Sequence, residues 1–155
     1  MFVGRLDELL GSVIAKVRRV NYVRPGGHRE AEEGPIELTL ENGAVLLFES
    51  GSDGESLRLS TGEWADPFAG PLSPENQDFV ARSGKWTAFD VSSEGDYREL
   101  VGRRVEDISL VVESGKTTGV ELSVGSVFVR AVVVADELTV VLGEVAGRPS
   151  KQEES

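Results

Sequence analysis

Ile36, Leu38 and Leu40 alternate with Glu37, Thr39 and Glu41, and the same period returns where Val120, Leu122 and Val124 enclose Glu121 and Ser123. A hydrophobic period of two is the mark of a strand with one buried and one wet face. After the first run comes Glu41-Asn42-Gly43, and Asn-Gly takes the positive φ of a two-residue hairpin turn at little cost. Gly125-Ser126 occupies the corresponding place after the second. Extended along the chain, this pattern predicts strands near 12–22, 35–41, 44–49, 56–60, 103–113, 118–124, 127–134 and 137–142. The 22 valines favour strand over helix. Val127 to Val134 is apolar except for Arg130, which predicts a central strand buried on both faces. Arg130 would then snorkel at an edge or pair with a carboxylate.

The pattern repeats. Leu9-Leu10-Gly11 with Ile14, Val17 and Val20 matches Leu100-Val101-Gly102 with Val105, Ile108 and Val111 at a constant offset of 91. The 36–40 and 120–124 runs follow, then Val45 and Leu47 against Val127 and Val129, then the acidic turns at Asp53 and Asp136 ahead of a last strand. Self-similarity of this kind reads as internal duplication. Copy one covers 5–60 and copy two 96–142, joined by a dissimilar linker over 61–95. Each copy is a short helix followed by four strands. Such a meander buries only one face, so the copies are expected to pack face to face or to form one curved sheet, within a single compact domain over 1–142.

Local signals complete this outline. Ser73-Pro74-Glu75 places an N-cap, a proline at the first helical position and an early acid, predicting a short helix near 74–82 that ends at Gly84. Asp96 and Glu99 have capping-box spacing ahead of the second copy. The polar, glycine-rich stretch from Arg24 to Gly34 is expected to be partly disordered, and so is the tail over 143–155.

Composition narrows the function. With 27 acidic against 16 basic residues the net charge is −11, which disfavours nucleic acid and anionic membrane surfaces, both of which need clustered Lys and Arg. No apolar stretch approaches the roughly 20 residues of a membrane span, and the first residues lack a signal-peptide pattern, so a cytoplasmic location is expected. The absence of cysteine excludes disulfides, thiolate catalysis and cysteine-ligated metals. The single histidine, His28, lies in the glycine-rich loop, where nothing holds a nucleophile beside it. Gly115-Lys116-Thr117 lacks the upstream glycine of a phosphate-binding loop.

Two constellations remain. Asp53 and Glu55, with Asp136 and Glu137 at the equivalent place in copy two, are oxygen donors beside glycine or at a turn. They are weak candidates for a hard cation and are better suited to capping turn backbone. Trp64 and Trp86 stand in the linker. They would cover the open ends of the sheet against Phe68, Phe79 and Phe89, or serve as a protein interface. The expectation is a predominantly antiparallel α+β protein that is not an enzyme and uses no cofactor. It acts by contact with another protein, as an inhibitor or immunity-type protein covering a basic partner. The alternatives are a carboxylate-based metal or small-ligand binder, a carboxylate-dependent enzyme, or a protein that self-associates into a homo-oligomer.

Overall fold

The computed structural model describes residues 2–68 and 70–144, and of residues 2–5 the backbone only. The alternating runs form two antiparallel sheets. After helix α1 (Phe2–Leu9) come β1 (Ile14–Val23), β2 (Ile36–Leu40), β3 (Val45–Ser50) and β4 (Leu57–Thr61). Helix α2 (Pro74–Ser83) and β5 (Lys85–Asp90) follow, then a 3-10 helix (Gly95–Glu99), β6 (Val105–Glu113), β7 (Lys116–Val124), β8 (Val127–Val134) and β9 (Glu137–Glu144). The first sheet has the order β4-β3-β2-β1-β5 and the second β6-β7-β8-β9. Two strand pairs show how the register selects the faces. Leu38 opposes both Val17 and Leu46, so all three side chains point to one side, and Leu122 opposes Val129 in the second sheet.

The two apolar faces meet. Ile36, Leu38 and Phe48 from the first sheet line a void of about 10 Å³ together with Val120, Leu122, Val129 and Ala131 from the second. So little empty space indicates interior close packing. Leu9 and Leu100, from the two helical turns, are fully buried at the rim of the same cluster.

The sheets are also joined through backbone. Gly11 N–H donates to Val105 C=O (2.8 Å) and Gly102 N–H to Ile14 C=O (2.7 Å). Val105 N–H donates to Ser12 C=O and Ile14 N–H to Arg103 C=O, both at 2.9 Å. Gly11 and Gly102 have nearly equal φ of 84° and 81°. At a second seam Glu33 bridges Thr139, with Gly34 N–H on Leu138 C=O (2.8 Å) and Val140 N–H on Glu32 C=O (3.2 Å). That segment covers the outer edge of β9, which would otherwise expose unpaired backbone.

Arg19 explains why the Arg24–Gly34 loop is ordered rather than partly disordered as its composition suggests. Its side chain opposes Ile36 in the register and is 1% exposed. The guanidinium donates to Ala31 (3.3 Å), Glu32 (3.3 Å), Gly34 (3.1 Å) and Pro35 (3.3 Å) carbonyls and to the Tyr97 hydroxyl (2.7 Å). A buried charge is tolerable only when its donors are satisfied. Here five neutral oxygens do this, and the three from Ala31, Glu32 and Gly34 pin the loop to β1. Asn21, fully buried, adds Nδ2 bonds to Glu33 (2.9 Å) and Ala31 (3.5 Å) and accepts from Arg29 Nε (2.9 Å).

Four further expectations are corrected. Residues 85–90 form β5, not linker, because they pair with β1 from Arg18↔Asp90 to Val23↔Lys85. β8 is buried on one face only, and Arg130 on its outer face meets its cross-strand neighbour Glu121 at 3.2 Å. Asp96 lies inside the 3-10 helix, whose N-cap is Glu94 with no side-chain cap bond, so no capping box forms. Gly143 and Glu144 complete β9, and the rest of the expected tail, 145–155, lies outside the described residues.

Replacing Arg19 by Met keeps volume but strips donors from four carbonyls and a hydroxyl. Arg19→Met is expected to lose about 3–5 kcal/mol in urea unfolding, and Arg19→Lys an intermediate amount, because three donors cannot reach five acceptors. A loss below about 1 kcal/mol for both variants would show that the loop is held by other means.

Candidate functional site

The outer face of the first sheet is where the segment between β4 and α2 folds back. Strand alternation sends Glu37 outward from β2, yet Glu37 is fully buried. It accepts a two-pronged pair from Arg18 (Nε 2.7 Å, Nη2 2.8 Å) and the Trp64 backbone N–H at 2.8 Å. The chain after β4 is thereby tethered over the sheet. A second tie follows where Lys85 Nζ meets Asp66 at 2.7 Å, while the other Asp66 oxygen accepts Phe68 N–H at 2.8 Å. Helix α2 starts as its sequence predicts, with the Ser73 hydroxyl accepting Asn76 N–H at 3.1 Å and Pro74 at the first position. Its end is fixed by the Tyr22 hydroxyl, which donates to Ser83 C=O.

Although α2 runs for ten residues, none of them is buried. Phe79 remains 46% exposed and stacks on Phe68 with ring centroids 5.9 Å apart. Below them, Tyr22 and Trp86 oppose each other across β1 and β5 and meet edge to face at 5.5 Å. Gly34 makes room for this pair: at φ 122°, an added Cβ would lie 1.9 Å from Val20 O and 2.9 Å from Trp86 Cζ3. Only glycine fits there.

The result is an open groove of about 600 Å³ whose walls include Val20, Tyr22, Trp64, Phe68, Phe79 and Trp86, with Leu138 at its base. Both tryptophans singled out from the sequence line it, Trp64 from the segment after β4 and Trp86 from β5. Phe89 does not join them. It points to the opposite face of β5, where the Arg29 guanidinium carbon sits 4.1 Å from its ring centre. Sequence spacing could not show that Tyr22, in the first hairpin, completes the aromatic set. Its only signal was its period-two relation to Val20 and Arg18.

Tyr22, Trp86 and Glu137 are also walls of a second trough of about 560 Å³, which includes Arg24, Glu30 and Glu33. This end is acidic. Glu30 is answered by Arg24, but among the described residues Glu33, Asp136 and Glu137 have no ion pair with a base. Burial, then the charges of Glu33 and Asp136, push the Glu137 carboxyl above the ordinary glutamate value.

The four carboxylates considered as cation ligands divide between two settings. The 51–55 turn packs against the β8–β9 turn, since a Cβ on Gly54 would lie 1.8 Å from Asp136 Oδ1. Asp53 nonetheless caps its own turn, accepting Glu55 N–H (3.0 Å), Ser56 N–H (2.8 Å) and the Ser56 hydroxyl (2.8 Å). These bonds hold Asp53 well below the ordinary aspartate range. Lys116, from the β6–β7 hairpin, lies 2.9 Å from Glu55 and 3.4 Å from Asp53. Glu137 is a wall of both troughs instead, whereas Asp136 lines neither and lies beside Gly54, its charge adding to that around Glu137. Among the described residues no group of three or more His, Asp or Glu is placed to hold a metal ion. His28 lies on the surface, 3.7 Å from Glu30, and is not a wall of either trough.

Among the described residues no helix is long and apolar enough to cross a membrane. No protein-family model, curated protein or solved structure significantly matches the chain.

Two carboxylates give opposite pH signatures. Burial works against ionised Glu37, but the Arg18 bonds and the Trp64 N–H outweigh it, so its folded value is lowered. Its contribution is present above the unfolded value and lost as pH falls through the folded one. Glu37→Gln should therefore melt below the parent at pH 7, the gap closing in acid. Glu137 has a raised folded value, so its ionisation lowers stability as pH rises through the window above the unfolded value. Glu137→Gln should melt at or above the parent at pH 7 and match it in acid. Melting curves from acid to neutral pH test both, and the same sign for the two variants would contradict this electrostatic account.

Proposed function

We propose that this is a non-enzymatic binding protein that acts by docking another protein, of basic character, on the aromatic groove over the first sheet. The observation that carries the reading is the convergence of Trp64, Trp86, Tyr22, Phe68 and Phe79 on one open groove that ends in Glu33 and Glu137. Phe79 is exposed and the other four are half-buried, and aromatic side chains gathered in one pocket are the anchors on which interfaces concentrate their energy. The net charge of −11 adds long-range attraction for a basic partner. An inhibitor or immunity-type role, in the cytoplasm, is the specific form of this proposal.

Internal duplication belongs to the same proposal. Its support is the seam between the sheets. Gly11 and Gly102, Ser12 and Arg103, and Ile14 and Val105 are each 91 positions apart, and both hydrogen-bond pairs there exchange under that shift. The Val13↔Arg104 bridge, also 91 apart, maps onto itself and lies where a pseudo-two-fold axis would pass. On this reading, the linker and β5 are what copy one gained, and they supply Trp64, Phe68, Phe79 and Trp86 to the groove.

A second reading, a small-ligand binder, is favoured by the groove volume, which lies in the range of such sites. The metal form of that reading has less behind it, because Asp53 and Glu55 face Lys116.

The test is affinity capture from native lysate at low and high salt with the parent, Trp64→Ala and Phe79→Ser. Phe79 is partly exposed on a helix without buried residues, so its replacement leaves the core intact. One basic protein held in stoichiometric amount by the parent at low salt, and lost from both variants, is the expected result. Equal capture by parent and variants, with melting unchanged, would remove the groove from the interaction.

A further inference from the structure

We infer that the acidic trough is a subsite for a basic side chain, Arg in preference to Lys, carried by a partner segment whose neighbouring large apolar residue fills the aromatic trough. The inference rests on the binding reading above and specifies its ligand. The two troughs share Tyr22, Trp86 and Glu137 as a common wall, so an occupant of one is in reach of the other. An extended chain advances about 3.3 Å per residue, which makes the two anchors neighbours in the partner's sequence.

The chemistry of each end is separate. In the first trough the polar groups of the linker are already engaged, Asp66 with Lys85 and Glu37 with Arg18 and Trp64 N–H. Exposed aromatic surface is what remains to offer. In the second trough Glu33 and Glu137 repel one another, with Asp136 adding to the repulsion, while the base among the trough's walls, Arg24, is taken by Glu30. A cation placed between Glu33 and Glu137 would lower that repulsion and lie beside the Tyr22 and Trp86 rings. Stacking on an aromatic face while hydrogen-bonding carboxylates in its plane suits a guanidinium better than a compact ammonium. Charge complementarity thus selects the occupant, and the aromatic wall orients it.

The experiment uses the full chain and four short peptides, acetylated and amidated: Gly-Phe-Arg-Gly, Gly-Phe-Lys-Gly, Gly-Phe-Gln-Gly and Gly-Ala-Arg-Gly. The readout is the pair of indole N–H signals from Trp64 and Trp86, assigned with Trp64→Phe. Titration runs to about 10 mM, where a millimolar affinity is close to saturation. The Phe-Arg peptide should move both signals and bind about tenfold more tightly than the Phe-Gln peptide, with Phe-Lys between them and Ala-Arg weakened to a similar degree. In the Glu33→Gln/Glu137→Gln double variant the Arg preference should vanish while the Phe-Gln titration stays as in the parent. An Arg preference that survives the double variant would overturn the subsite and leave the groove reading standing. If no peptide moves either indole signal, both fall. Signals that move with protein concentration alone would show a second copy in the groove and overturn the inference.

Discussion

The buried guanidinium of Arg19 is the interaction on which this architecture depends. It sits on a core-facing strand position yet carries a charge, and it is made tolerable by wrapping the 31–35 segment around it. That wrapping has a second effect. It lays Glu32–Gly34 along β9, so the segment that satisfies the charge also seals the free edge of the second sheet. The same segment presents Glu33 to the acidic trough and places Gly34 beneath Trp86. One buried charge thus links core, sheet edge and candidate binding surface.

The outer faces of the two sheets are treated differently. On the first, an outward carboxylate, Glu37, is buried beneath the segment after β4 with Arg18 and a backbone N–H as partners. A buried ion pair adds little net stability over a hydrophobic pair, but it specifies geometry because its partners tolerate few alternative positions. Here the geometry it specifies is where Trp64 enters the groove. Among the described residues the second sheet has no such cover. Its outer face keeps an Arg130–Glu121 pair among exposed valines such as Val134 and Val141. β6, its remaining edge, carries Asp107 and Glu113 and two register shifts, features that discourage edge-to-edge pairing.

The groove combines features that core packing does not require. α2 buries none of its residues, and Glu137 is held where burial and like charges oppose its ionised form. Arrangements that cost stability and persist are the places where a functional explanation is sought first. The aromatic surface and the carboxylates at its end are complementary in kind to one class of ligand, an apolar group next to a cation.

Periodicity alone determined much of this protein. The alternation in 36–40 and 120–124, the Asn42-Gly43 turn and the Ser73-Pro74 cap all act over a few residues, so eight of the strands and α2 were legible to within a few positions. The tryptophans were legible as surface aromatics too large to leave without a role. What tertiary structure alone decided is everything that depends on residues far apart in sequence. Whether 85–90 is strand or linker depends on pairing with β1, more than 60 positions away, and no local pattern encodes it. The 24–34 loop reads as partly disordered because its ordering donors, Arg19 and Asn21, lie outside it. Asp53 and Asp136 look equivalent in sequence, yet one is met by Lys116 and the other adds its charge to that around Glu137. Local sequence sets which face a residue turns toward, and only the folded neighbourhood sets which charges and rings it meets there.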